Sequence, residues 1–154
     1  MVKPIYFQQA FTDREKVIRR ASAYVEHLQT TDQLPKKLSI AFRGMSGAVV
    51  APVLAYICDL GLIVVRKEND SSHSTRRVEG ELAHDYIIVD DFISAGYTVD
   101  AIINAISKVS EVRCLGVMTY SRDYEMTYNS SMGELPTWFV GAISDDRPNV
   151  DCDD

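Results

Sequence analysis

The chain has 154 residues, 46% hydrophobic and 25% charged, with a net charge of −6. That length suits one domain burying about 68–70% of its unfolded surface, and the negative charge argues against a general nucleic-acid binder, since phosphate repulsion opposes contact. Three widely spaced cysteines (Cys58, Cys114, Cys152) argue against a disulfide framework or zinc module and suit a reducing cytoplasm; no apolar run approaches the ~20 residues of a membrane span, and residues 1–10 do not read as a signal peptide.

Thr12-Asp13-Arg14-Glu15 is a capping-box signal. Val17, Ala21, Tyr24, Val25 and Leu28 follow at helical spacing and predict an amphipathic helix over residues 13–29. Residues 38–42 form a short apolar run that stops at Arg43-Gly44-Met45-Ser46-Gly47. A helical pattern occupies 48–59, with Pro52 tolerable in its first turns. Gly61 then opens the β-branched strand 62–65.

Residues 66–84 are polar without a sustained period and read as a long loop. Tyr86-Ile87-Ile88-Val89 reads as a buried strand ending in Asp90-Asp91. Ser94-Ala95-Gly96 breaks the chain. Thr98 can cap a helix whose Val99, Ile102, Ile103 and Ile106 share one face. Residues 112–119 and 138–143 read as further strands, and an acidic tail follows from Asp145.

Strands that are continuous apolar runs, alternating with helices, predict an α/β fold. The expected architecture is doubly wound, with a mostly parallel sheet of about five strands and helices on both faces. Ligands in such sheets bind beyond the carboxyl ends of the strands. Three segments sit at those ends here: 43–47, 66–73 and 90–98.

Charge is unevenly divided among these segments. Residues 1–44 carry a net of +4. Residues 66–77 hold Arg66, Lys67, Arg76 and Arg77 against Glu68 and Asp70, a net of +2. Residues 78–101 hold six carboxylates and no cation, and the last ten residues net −4. Basic and acidic segments in one small domain could serve a polyanion held together with a metal; solvated surface charge is the other reading.

Tyr86–Thr98 is the segment richest in chemistry. An apolar strand delivers two adjacent carboxylates to its end, and a small-residue loop leads into a helix N-terminus. Free N–H groups and the helix dipole there favour phosphate. Ser94 and Thr98 add hydroxyls, and Gly96 permits close backbone approach. Carboxylates beside a phosphate cradle suit sugar hydroxyls or a divalent metal.

The run Val89-Asp90-Asp91-Phe92-Ile93-Ser94-Ala95-Gly96-Tyr97-Thr98 resembles the signature loop of type I phosphoribosyltransferases, which bind 5-phosphoribosyl 1-pyrophosphate (PRPP). The resemblance covers roughly residues 37–145. It implies that Asp90 and Asp91 hold the ribose 2′- and 3′-hydroxyls, directly or through magnesium. Ser94, Ala95, Gly96, Tyr97 and Thr98 would wrap the 5′-phosphate. Arg43, Gly44, Met45 and Ser46 would form the pyrophosphate loop, whose backbone in this family often carries a cis peptide.

Two branches of the family are echoed. Arg66-Lys67-Glu68, with His73 and Glu79-Gly80 downstream, is similar to the mobile loop of the orotate branch. Arg66, Lys67 and His73 would then neutralise departing pyrophosphate. That branch usually has a further Lys where this chain reads Asn69 to Ser72. Leu135-Pro136-Thr137-Trp138-Phe139-Val140-Gly141 with Asp145 is similar to the base-binding strand of hypoxanthine–guanine enzymes. Trp138 and Val140 would flank the base, and Asp145 would contact the ring edge or the metal. That branch normally has a Lys near Thr119-Tyr120-Ser121 and an Asp at Ser94, neither present here, so the base stays open.

The resemblance implies a magnesium-dependent enzyme that transfers the phosphoribosyl group to a nucleobase, working as a cytoplasmic homodimer. The single domain would have its core at 37–120, a small hood from 1–36 and/or 121–144, and a tail at 145–154. Two alternatives share the fold. One is a regulator that senses the phosphoribosyl ligand; the other is a binding domain for a different phosphorylated molecule.

Overall fold

A computed structural model describes residues 14–68, 75–91, 93, 96–120, 128–130 and 133–140. Helix α1 (Arg14–Thr30) presents Val17, Ile18, Ala21, Val25 and Leu28 as its buried face. Strand β1 (Ser39–Phe42) is buried throughout. Of the helix expected over 48–59, α3 (Ala51–Ile57) forms, and a separate short helix, α2 (Gly44–Ala48), precedes it in the segment expected to be loop. Pro52 explains the break: its ring clashes with the carbonyl four residues back, so it is accommodated only in the first turn of a new helix.

Strand β2 (Gly61–Val65) follows, and then β3 (Val78–Gly80), which the polar sequence had suggested was loop. Its three residues pair antiparallel with Val65, Val64 and Ile63 at the sheet edge. Too short for a visible period, β3 is held by its pairing with β2, by the Arg66–Glu79 ion pair and by Val78 packed on the core. Strand β4 (Tyr86–Asp90) is fully buried and leads to α4 (Tyr97–Ser107). The cap of α4 is Gly96 rather than Thr98, which lies inside the first turn. Strand β5 (Cys114–Thr119), a two-stranded pair β6 (Tyr128–Ser130) and β7 (Gly133–Leu135), and β8 (Thr137–Phe139) complete the described elements.

The main sheet has six strands in the order β3-β2-β1-β4-β5-β8, and only β3 is antiparallel to its neighbour. Alternate residues of each strand face opposite layers. Ile40, Phe42, Ile87, Val89 and Met118 pack with α1 and α3. Ala41, Ile63, Ile88 and Val117 pack with Val99, Ile102, Ile103 and Ile106 of α4. Helix α1 therefore covers the sheet. Among the described residues no helix is long and apolar enough to cross a membrane.

The chain leaves β1 toward β2 on one side and resumes at β4 on the other. The β1/β4 boundary is thus the switch point of the sheet, where doubly wound folds bind ligands.

Candidate active site

A cavity of about 430 Å³ opens at that switch point. Its wall is built from three strand ends. The β1 end supplies Arg43, Gly44, Met45 and Ser46; the β2 end supplies Lys67; the β4 end supplies Asp90 and Asp91, followed by Gly96, Tyr97 and Thr98 of α4.

The cationic side rests on backbone shape. Gly44 has φ +80, a left-handed conformation that only glycine enters without cost. With no Cβ, Gly44 leaves room for Lys67, whose Cε would lie 3.3 Å from a methyl placed there. Arg43 joins Lys67 at this wall, and its Nε is buried with no hydrogen-bond partner among the described residues. A buried guanidinium donor without a partner suits an anionic ligand. No peptide bond among the described residues is cis, so the loop reaches this shape through glycine.

The acidic side is more enclosed, with Asp90 6% and Asp91 8% exposed. Asp90 Oδ1 accepts from the Ser46 hydroxyl at 2.7 Å and from the Asp91 amide at 2.9 Å. Burial pushes the Asp90 carboxyl up to about 7. The neighbouring Asp91 adds to the rise through a hydrogen bond and its charge; the Ser46 hydroxyl and the Asp91 amide pull the other way. A buried carboxyl pair of this kind is relieved by a cation or by hydroxyl donors.

Solved structures with this architecture are informative. An adenine phosphoribosyltransferase from Saccharomyces cerevisiae, determined with an imino-altritol bisphosphate and adenine, superposes with a TM-score of 0.51 and 23% identity; the match covers 64% of this chain and 63% of the yeast chain, just under two thirds of it. An orotate phosphoribosyltransferase from Aeropyrum pernix gives 0.57 at 17% identity, covering 80% of this chain and 68% of that one. UMP synthase from Leishmania donovani gives 0.56 at 19% identity, covering 77% of this chain and 25% of the synthase. The fold is that of the type I phosphoribosyltransferases. No family model and no curated protein matches the sequence.

Within this phosphoribosyltransferase fold the sequence-derived sites separate into three groups. Arg43, Gly44, Met45, Ser46, Lys67, Asp90, Asp91, Gly96, Tyr97 and Thr98 are brought together around the cavity. Arg66 is not part of its lining; it donates to Glu79 of β3 at 2.6 Å. Trp138 and Val140 are likewise not part of the lining. Trp138 is buried on the sheet, its ring occupying the space that a Cβ on Gly116 would need. The aromatic thus fills a hole left by glycine, as an apolar ring in a close-packed core does. His73, Ser94, Ala95 and Asp145 lie outside the described residues.

One contributor was not singled out from the sequence. Tyr120, the residue after β5, donates its hydroxyl to the Ser46 carbonyl at 2.7 Å. The available signal was positional: an aromatic with a polar tip at a third strand end on the ligand-binding edge.

Proposed function

We propose that the chain is a phosphoribosyltransferase, transferring the phosphoribosyl group of PRPP to a nucleobase with release of pyrophosphate. The observation that carries this reading is the polarity of the switch-point cavity: cations and a glycine loop on one wall, two buried carboxylates and a helix N-terminus on the other. The relatives of the same fold that act on adenine and orotate support the general reaction.

Arg43 and Lys67 neutralise charge as pyrophosphate departs, and the backbone of 43–46 orients it. Asp90 and Asp91 hold the ribose hydroxyls. The N-terminus of α4, with Thr98, takes the 5′-phosphate. Positive charge grows on the sugar as the bond to pyrophosphate breaks, and the nearby carboxylates stabilise it. No covalent nucleophile is required; positioning two substrates and stabilising the leaving group supply the rate.

Magnesium fits the donor set. Both candidate ligands are hard carboxylate oxygens, and among the described residues no group of three or more His, Cys, Asp and Glu forms a dedicated cage. Magnesium is commonly held in this way, by one or two carboxylates plus water and substrate oxygens. Bound at Asp90 and Asp91, it would neutralise charge on the pyrophosphate and the carboxyl pair.

The test is a pyrophosphate-release assay with PRPP and magnesium across adenine, guanine, hypoxanthine, xanthine, orotate and uracil. Release with one base above the no-base rate is the expected result and names the acceptor. PRPP binding without release for any base would overturn the enzymatic reading in favour of a ligand sensor.

A further inference from the structure

We infer that Tyr120 is a positioning residue that sets the spacing between the two walls of the cavity, and so selects a ligand that spans both. This deepens the reading of the cavity as a PRPP site and rests on it.

The inference starts from a carbonyl left over by the helix break. In a continuous helix the Ser46 carbonyl would accept from the amide four residues on. Here the amides that follow are turned elsewhere: Val49 N–H donates to Met45 and Val50 N–H to Gly47. Pro52 has already forced the helix to restart. Tyr120 supplies the missing donor through its hydroxyl.

Tyr120 also reaches the opposite wall. Its own amide donates to the Asp91 carbonyl at 3.2 Å. One residue therefore hydrogen-bonds the backbone of both loops, while Ser46 Oγ closes the circuit on Asp90 Oδ1 at 2.7 Å. Tyr120 is 4% exposed and its ring belongs to the core shared with Phe42, Val89 and Met118. A ring fixed in a close-packed interior makes a stiff strut.

The consequence concerns spanning. Without magnesium to tie it to the carboxylates, pyrophosphate alone touches the 43–46 wall, and ribose 5-phosphate alone touches the Asp90–Asp91 wall. PRPP bridges them, so its affinity depends on their separation. Losing the strut should penalise the bridging ligand far more than either fragment.

The experiment is calorimetric, with magnesium present for PRPP and ribose 5-phosphate and with EDTA for pyrophosphate, on wild type, Tyr120→Phe, Ser46→Ala and the double variant. Phe keeps the ring and removes only the hydroxyl; circular dichroism verifies folding. For Tyr120→Phe we expect the Kd of PRPP to rise by roughly five- to tenfold, the worth of one lost buried hydrogen bond. Inorganic pyrophosphate and ribose 5-phosphate should each stay within about twofold. Ser46→Ala keeps the backbone carbonyl that accepts from Tyr120 and removes only the separate bond to Asp90, so the double variant, which loses both bridges between the loops, should bind PRPP more weakly than either single variant. Unchanged PRPP affinity, parallel loss of all three ligands, or a double variant no weaker than Ser46→Ala alone would each overturn the role of Tyr120. If wild type binds neither PRPP nor pyrophosphate, the reading of the cavity itself fails and the positioning role falls with it.

Discussion

The loops after β1 and β4 are built alike and charged oppositely. Both leave neighbouring parallel strands, and both turn through a left-handed glycine into a helix, Gly44 at φ +80 and Gly96 at φ +79. The first carries Arg43 and lies against Lys67; the second carries Asp90 and Asp91. The shared backbone device places both loops at one cavity, and the side chains decide what each can hold. A ligand matching both must be strongly anionic at one end and offer hydroxyls or a metal at the other. The largest test removes one side of that contrast. Asp90→Asn with Asp91→Asn should lower pyrophosphate release by roughly 10²–10³-fold, the scale of losing a preorganised electrostatic group, with an unchanged circular dichroism spectrum. Turnover within twofold of wild type would remove the acidic loop from the chemistry.

The cationic side can be sharpened by comparing adjacent residues. Lys67 lines the cavity, whereas Arg66 is held by Glu79 in an ion pair whose side chains are about one-third exposed. Lys67→Ala should lower kcat/KM for PRPP by about tenfold or more, with the difference from wild type shrinking as salt screens the charge. Arg66→Ala should mainly cost stability, about 1 kcal/mol for a pair that solvent still partly screens. Denaturant titrations and PRPP-dependent kinetics on both variants check the division; equal catalytic losses would place Arg66 at the substrate as well.

Much of this was legible before any coordinates. The continuous apolar strands announced a parallel sheet, and Asp90-Asp91 followed by a glycine turn pointed to the strand end where the cavity lies. What escaped had local causes. Strand β3 is three residues in a polar stretch, below the length at which alternation is visible, and its partner supplies the register. The helix break at 49–50 follows from Pro52, but apolar spacing runs on through it. That Trp138 packs over Gly116 was also hidden, because sequence shows an aromatic near a strand end and cannot show that the glycine leaves a hole beneath it. Tyr120 escaped because its partner is a backbone carbonyl 74 residues away, which no side-chain motif encodes.

The acidic side should also betray itself through pH. Asp90 has its carboxyl raised from 3.8 to about 7, chiefly by burial. The folded chain therefore binds this proton where the unfolded chain has released it. The associated stability is fully present below about pH 4 and is lost as pH rises through about 7. Asp90→Asn keeps an acceptor for Ser46 and removes the ionisation. In EDTA at pH 7.5 it should be more stable than wild type by roughly 2 kcal/mol, and its stability should change less between pH 4 and 7. Denaturant unfolding across that range measures both. A variant no more stable than wild type at pH 7.5 would mean that the buried carboxylate carries no cost, weakening the contrast between the loops.

The smallest expected effect separates backbone from charge in the cationic loop. Gly44→Ala places a side chain in the left-handed region, at a cost of roughly 1–2 kcal/mol, measurable by denaturant unfolding. The new methyl would also sit 3.3 Å from Lys67 Cε, so the ammonium must shift. PRPP affinity should fall by a few-fold in consequence. These two losses have different origins, and a second variant divides them. In a Lys67→Ala background the cation is already gone, so Gly44→Ala should still lower stability by the same amount while costing little further affinity. If affinity falls equally in both backgrounds, the loop backbone itself contacts the ligand, and the glycine serves binding directly rather than by making room for Lys67.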